Sequence, residues 1–271
     1  MATDTAQPLL RVTGLRVVYR PGRFFSGERQ QVCALRGIDL SVNCGASVAI
    51  VGESGSGKST LARCLAGWER ASAGEIWFDG RNTRKPEGDD PGQACWQIQL
   101  ILQDTSAALN PRFTAQQIVA EPLRIQHKGN SAEQMATVAE LMGTVQLPRT
   151  TLGRRPQEFS GGQRQRLAIA RALALRPRLL ILDEALAGLD GSVQLQIIGS
   201  LKDLQRQYDL TYLFISHDLA MMSEVADEIA VLHEGTIVER GKMDEVINRP
   251  THPRTLALLR AMPGKHLGRL T

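Results

Sequence analysis

Hydrophobic positions recur along this chain with two different periods, and the change from one to the other divides it. Over 9–19 the apolar residues Leu10, Val12, Leu15 and Val17 alternate with polar neighbours, predicting a strand. A loop follows over 21–27, marked by Pro21, Gly22 and Gly27 and carrying Phe24 and Phe25. A second strand is expected from about 34 to 42 and leads into a third, Val48-Ala49-Ile50-Val51, which breaks at Gly52. From Lys58 onward, Ser59-Thr60-Leu61-Ala62-Arg63-Cys64-Leu65-Ala66 carries helix formers with the apolar residues on one face. Residues 74–80 make a short strand between turn signals, and 81–92 is a polar surface loop with Pro86, Gly88, Pro91 and Gly92. Ile98, Leu100, Ile101 and Leu102 form an apolar run that stops at Gln103-Asp104.

Beyond that point the period becomes helical. Ile118, Val119, Leu123, Met135, Val138, Leu141, Met142 and Val145 recur at helical spacing across 114–147, interrupted by Pro122 and by Gly129-Asn130. A further helix is expected over 163–175, stopped by Pro177. Leu179-Leu180-Ile181-Leu182 and Leu213-Phe214-Ile215-Ser216 have the unbroken apolar character of buried strands. The pattern as a whole is an α/β core with an inserted helical subdomain.

Composition narrows the class. The 271 residues suffice for one large domain, or one domain with a subdomain. Hydrophobic residues at 42% and charged residues at 22% are ordinary for a globular protein, and the formal net charge of +4 does not by itself call for nucleic acid. Aromatics are scarce, at 4%, and are not interleaved with a basic stretch, so no nucleic-acid partner is expected. No apolar run approaches the roughly 20 residues of a membrane span. Residues 1–8 are polar and lack the charged-then-apolar order of a secretory leader. Cys33, Cys44, Cys64 and Cys95 are scattered without a C-x-x-C pair, so reduced thiols in a cytosolic protein are expected.

The chemistry concentrates after the third strand. Gly52-Glu53-Ser54-Gly55-Ser56-Gly57-Lys58-Ser59-Thr60 fits G-x-x-x-x-G-K-[ST] with a strand before it and a helix after it, which makes it a P-loop. Backbone amides freed by the glycines, with the positive end of the helix dipole, hold phosphate oxygens. Lys58 reaches the β- and γ-phosphates and Ser59 can ligate Mg²⁺. The chain is therefore expected to bind a nucleoside triphosphate. Asp183-Glu184, directly after an apolar strand, are costly there without a task; downstream of a P-loop, Asp183 suits Mg²⁺ and Glu184 the attacking water. Ser160 stands at an N-cap position, and Gly161-Gly162 leave amides uncovered at a positive helix end. That is either a second phosphate device or a plain cap. Tyr19 offers a flat face to an adenine or packs on the core; the residue alone leaves both open. His217 lies at a strand's carboxyl end, the ligand side of an open α/β sheet, where a structural histidine is equally at home.

These motifs, in this order, resemble the nucleotide-binding subunits of ABC transporters over roughly residues 9–263. By resemblance 52–59 is the Walker A loop, Gln103 the Q-loop glutamine and a ligand toward Mg²⁺, and Ser160, Gly161, Gly162 and Gln163 the signature motif. Leu179 to Glu184 is the Walker B strand with its catalytic glutamate, Asp190 the D-loop aspartate, His217 the switch histidine and Tyr19 the A-loop aromatic. The implied fold is a P-loop NTPase core with an antiparallel β subdomain and an inserted helical subdomain. As one ABC ATPase domain over 1–271, it would place the nucleotide-binding core at 9–103 and 156–241, the helical subdomain at 104–155 and a C-terminal segment at 242–271.

Finer features resemble the oligopeptide, dipeptide and nickel importer branch: Gln103-Asp104 with Ala108-Leu109-Asn110-Pro111-Arg112, and His252-Pro253-Arg254-Thr255-Leu256-Ala257-Leu258-Leu259 near the end. Arg254 stands where that branch usually has an aromatic, Leu256 where it often has arginine, and Ala185-Leu186-Ala187-Gly188 replaces its usual Pro-Thr-Ser-Ala. The resemblance implies an ATPase using ATP and Mg²⁺, closing head to tail with a second, different ATPase subunit. Two membrane permease subunits and, indirectly, a substrate-binding protein would complete the system, with this chain peripheral on the cytoplasmic face of the membrane. A soluble, non-transport ABC ATPase is the competing reading. It is weakened because such relatives usually carry a long coiled-coil insertion or two cassettes. A kinase or small GTPase would have no use for Ser160-Gly161-Gly162.

Overall fold

The computed structural model describes residues 7–19, 31–83 and 96–261. The loop with Phe24 and Phe25, most of the polar 81–92 loop, Cys95 and residues 262–271 lie outside them. In chain order the elements are β1 (Leu10–Tyr19), β2 (Val32–Val42), β3 (Ser47–Val51), α1 (Lys58–Leu65), β4 (Ala73–Phe78), β5 (Arg81–Asn82), β6 (Ile98–Ile101) and α2 (Thr105–Ala108). They continue as α3 (Ala115–Ile125), α4 (Ser131–Thr144), α5 (Gly161–Leu173), β7 (Leu179–Asp183), α6 (Gly191–Tyr208), β8 (Thr211–Ser216), α7 (Leu219–Met222), β9 (Glu228–His233), β10 (Thr236–Lys242), α8 (Met243–Asn248) and α9 (Pro253–Arg260). Two compact units result: residues 1–95 with 213–271, and residues 96–212. No helix among the described residues is long and apolar enough to cross a membrane.

The first unit holds an antiparallel sheet in the order β2-β1-β4-β5 and a second sheet in which β10, β9, β3 and β8 lie side by side. Leu10 of β1 faces Val42 on one side and Phe78 on the other, and the alternating burial along β1 puts Leu10, Val12, Leu15 and Val17 in the core. The strand β3 is buried at all five positions, as its unbroken apolar run predicts. It pairs in parallel with β9, Val48 facing Glu228 and Val51 facing Val231.

A two-residue turn joins β9 to β10, with both Glu234 (φ 45°) and Gly235 (φ 77°) left-handed, the geometry of a type I′ hairpin. The last strand β10 is followed by α8 and α9. Both lie in stretches to which the hydrophobic pattern assigns no element, as does the β9–β10 hairpin itself.

The second unit pairs β6 in parallel with β7, Ile98 facing Leu179 and Ile101 facing Leu182. Its helices α3, α4 and α5 pack on one another around Ile118, Val138, Met142 and Leu167, all at most 1% exposed. The two expected interruptions differ in outcome. Gly129-Asn130 does separate two helices: Asn130 caps α4, accepting from the Ala132 and Glu133 amides at 3.0 Å, while Glu133 accepts from the Asn130 amide at 2.8 Å. Pro122, by contrast, sits inside α3, which continues to Ile125. Proline deletes one helical donor, and the apolar face with Ile118, Val119 and Leu123 buried holds the last turn in place.

Candidate functional site

In the first unit the chain leaves β3 at Gly52 and returns as α1 at Lys58, and close backbone contacts dictate the glycines. A β-carbon on Gly52 would overlap the Leu232 carbonyl oxygen of β9. One on Gly57 would lie 2.6 Å from the Ala34 carbonyl oxygen, and Gly57 is left-handed at φ 107°. The hairpin turn braces the loop from behind: the Gly235 amide donates to the Ser56 carbonyl at 2.9 Å and its carbonyl accepts from the Arg36 amide at 2.8 Å.

Lys58, 5% exposed, donates from Nζ to the Gly52 carbonyl at 2.8 Å and the Glu53 carbonyl at 2.9 Å, so its ammonium is drawn back across the loop. The buried Ser56 hydroxyl has no hydrogen-bond partner among the described residues. Buried polar groups are normally paired, and an orphan oxygen in a glycine-walled loop beside a lysine fits an anionic oxygen-rich ligand. Phosphate groups suit this loop.

Tyr19 ends β1 opposite Val32 and is 38% exposed, so its ring is not sealed in the core. His217 is exposed directly past the carboxyl end of β8. Its neighbour Asp218 turns the chain into α7, accepting from the Met221 amide at 3.0 Å.

In the second unit Asp183 closes β7 and is 4% exposed, whereas Glu184 is half-buried with φ 48°. A left-handed backbone is uncommon for a glutamate and stores strain of about 1–3 kcal/mol, which is found most often where a side chain must be aimed. The turn closes when the Ala187 amide donates to the Glu184 carbonyl at 3.0 Å. Gln103 is exposed two residues beyond β6, and the adjacent Asp104 starts α2 by accepting from the Ala107 amide.

Ser160 caps α5 in a reciprocal box: Oγ accepts from the Gln163 amide at 3.3 Å and Gln163 Oε1 accepts from the Ser160 amide at 3.0 Å. The helix thus starts at Gly161, two residues before the sequence pattern suggests. Both readings of Ser160 meet here: it is a cap, and the first-turn amides of Gly161 and Gly162 precede the helical ladder. Asp190 occupies the N-cap of α6 yet makes no side-chain cap bond.

Two features escape the sequence. Arg166, 8% exposed, is held by neutral acceptors, donating to the Val145 carbonyl at 2.9 Å, Gln146 Oε1 at 3.1 Å and Ser200 Oγ at 3.4 Å. Burial lowers its pKa, and the carbonyl end of α4 supplies the compensating dipole. Arg254 of α9 reaches Glu53 in the glycine loop, Nη1 to Oε1, at 3.8 Å.

Comparison with known proteins places this geometry. The family model described as ABC transporter matches residues 35–187, over half of the chain and including the glycine loop, the α5 cap and the Asp183-Glu184 turn. The chain belongs to the ABC transporter family. Among its relatives, the oligopeptide transport ATP-binding protein OppF of Streptococcus mutans is 43% identical over 263 residues, covering 96% of this chain and 83% of that one. OppF of Lactococcus lactis is 39% identical over 257 residues, covering 94% and 80%. The dipeptide transport ATP-binding protein DppF of Escherichia coli is 39% identical over 266 residues, covering 97% and 80%.

Among solved structures, the ATP-binding cassette MJ0796, dimeric in a post-hydrolysis state bound to ADP and Pi, matches with a TM-score of 0.75 at 26% identity. That match covers 86% of this chain and 98% of that one. Another, cbiO1 from Clostridium perfringens, part of the ABC transporter complex cbiONQ, gives 0.75 at 26% identity over 90% and 92%. The fold of this ABC transporter chain is that of an ABC ATPase cassette.

Proposed function

We propose that this chain is the ATP-hydrolysing subunit of a peptide importer, coupling ATP binding and hydrolysis to uptake through separate membrane subunits. The observation that carries ATP binding is Lys58, buried and held by two loop carbonyls beside the orphan Ser56 hydroxyl. An ammonium held there is pre-placed for phosphate oxygens, which replace one anionic-leaning environment with a stronger one. The peptide cargo rests on OppF and DppF, whose names specify oligopeptide and dipeptide transport; that favours peptides over nickel complexes.

The roles follow from the residues. Amides of 52–60 and Lys58 bind the β- and γ-phosphates, and Tyr19 stacks on the adenine. Ser59, Asp183 and Gln103 are the oxygen donors that would hold Mg²⁺, which supplies charge neutralisation on the phosphates when bound. Glu184 orients and polarises water for attack on the γ-phosphorus, the bond to the bridging oxygen breaks, and ADP and phosphate leave. His217 helps hold that water. In a head-to-tail pair, Ser160, Gly161, Gly162, Gln163 and Asp190 face the nucleotide of the opposite cassette. The partner cassette is a different chain, and the pair sits against two permeases on the cytoplasmic side, fed by a substrate-binding protein.

Glu184→Gln should bind ATP like the parent yet turn over about 10²- to 10⁴-fold more slowly, the usual scale for losing an acid–base group. Undiminished steady-state hydrolysis would remove Glu184 from its role. Purification with the membrane subunits, followed by ATPase assays with peptides and with nickel complexes, tests the cargo: stimulation by nickel complexes alone would overturn the peptide assignment.

A further inference from the structure

Glu53 puts a negative charge directly after Gly52, in the loop that must receive a polyanion. Within the same unit a guanidinium answers it. Arg254 Nη1 lies 3.8 Å from Glu53 Oε1, with side chains 50% and 56% exposed. The start of α9 that carries Arg254 is firmly held. His252 caps it, Nδ1 accepting from the Arg254 amide at 3.2 Å. Glu239 of β10 accepts from the Thr251 amide at 2.7 Å, the Thr251 hydroxyl at 2.8 Å and the His252 amide at 3.1 Å. Burial pushes the Glu239 carboxyl up, but the Thr255 hydroxyl and the hydrogen bonds from Thr251 and His252 outweigh it and hold the group below the usual carboxylate range. The clamp therefore stays charged and closed at neutral pH, and Arg254 is offered to the glycine loop from an anchored base.

A half-exposed ion pair contributes little to folding, because water already screens both charges. Its influence on a neighbouring polyanion is of a different kind. A lone carboxylate in a phosphate-binding loop repels every phosphate oxygen, and a cation beside it cancels that field over the distances at which the nucleotide sits.

We propose that Arg254 is a positioning residue for nucleotide binding: by neutralising Glu53 it raises the affinity of the glycine loop for ATP without touching the reacting atoms. The proposal rests on the reading of 52–60 as the ATP-binding loop. It ties nucleotide affinity to α9, an element the nucleotide chemistry above does not use.

The test is equilibrium ATP binding and steady-state hydrolysis by the full chain at low and at physiological ionic strength. Arg254→Ala should raise Kd and KM for ATP about two- to fivefold at low salt, the range for exposed charge pairs, with kcat unchanged. The difference should shrink as salt rises, since the Debye length falls to about 8 Å at 0.15 M. Arg254→Lys should recover most of the affinity. In a Glu53→Gln background, which lacks the carboxylate that draws the guanidinium to the loop, Arg254→Ala should have a smaller effect than in the parent.

Affinity equal to the parent would overturn the proposal. So would a loss that ignores salt, which would make Arg254 a packing residue of α9, or one undiminished in the Glu53→Gln background, which would make it a direct partner of the phosphates. A parent chain that binds no ATP would overturn the underlying reading, and the parent titration reveals this before any variant is compared.

Discussion

Two helix starts in this chain carry glycines and lie in elements assigned to phosphate, and they are built on opposite plans. At α1 the N-cap is Gly57, left-handed and without any side-chain cap bond. At α5 the N-cap is Ser160, extended, with its hydroxyl and Gln163 closing a reciprocal box. The glycines differ too. Those at 52 and 57 are set against backbone carbonyls, which cannot step aside. Gly162 is set against a side chain, Val193, whose Cγ1 would lie 2.5 Å from an added β-carbon. The α1 start has no side-chain cap and locks its shape with main chain. The α5 start satisfies itself first and leaves only its first-turn amides over. The two starts thus differ in what holds their shape: main chain at α1, a side-chain cap at α5.

That contrast can be broken most forcefully at Gly57. Gly57→Ala adds left-handed strain to a collision with Ala34, together about 3–5 kcal/mol. Thermal melting should fall by about 10 °C, given roughly 2–4 °C per kcal/mol for a chain of this size. An unshifted melting curve would mean that the β2 backbone yields, and the α1 start would not be main-chain locked.

Next in size is Lys58→Ala, which should weaken ATP binding about 100-fold, the scale of a hydrogen bond to a charged group lost from a binding site, while circular dichroism stays unchanged. Binding equal to the parent would remove the lysine from the phosphate site.

At the second start, Ser160→Ala should cost about 1 kcal/mol of stability, the usual value of an N-cap, read from the urea midpoint. A larger loss would show that the cap holds more than its own helix. The smallest effect is expected at Gly162→Ala. Rotation of Val193 opposes the roughly 1 kcal/mol by which alanine improves on glycine in a helix, so stability should move by less than about 1 kcal/mol. A drop like that of Gly57→Ala would erase the distinction between the two starts.

Much of this architecture is carried by local patterns. The strand β3, the glycine loop and α1 follow from an apolar run, three glycines and a helical face, all between Ser47 and Leu65; β7 and β8 announce themselves as unbroken apolar runs. The β9–β10 hairpin is missed although Glu234-Gly235 between apolar strands is a turn signal. Its importance lies in Gly235 touching Ser56 and Ala34, which no local pattern encodes. Pro122 misleads because packing of α3 overrides a backbone preference. Among the site residues, the residue types at 58, 183 and 184 announce phosphate chemistry. The carbonyls that hold Lys58 and the strained φ of Glu184 come only from the folded backbone. Arg166 and Arg254 look like solvated surface cations in the sequence. The burial of one and the reach of the other depend on residues distant along the chain.

The pairing of β3 with β9 also sets a timetable. Ser47 donates its amide to Asp227 Oδ2, 180 positions further on, and accepts from the Asp227 amide. The unit spanning 96–212 is continuous in sequence, whereas the one bearing the glycine loop is split around it. A ribosome adding about 5–20 residues per second needs roughly ten seconds or more to travel from Ser47 to Asp227. Throughout that interval β3, apolar at nearly every position, waits without its parallel neighbour. Nascent chains stalled before Asp227 should therefore display a ready-made sticky segment, and a chaperone that shields it would act on the newborn chain rather than on the finished ATPase.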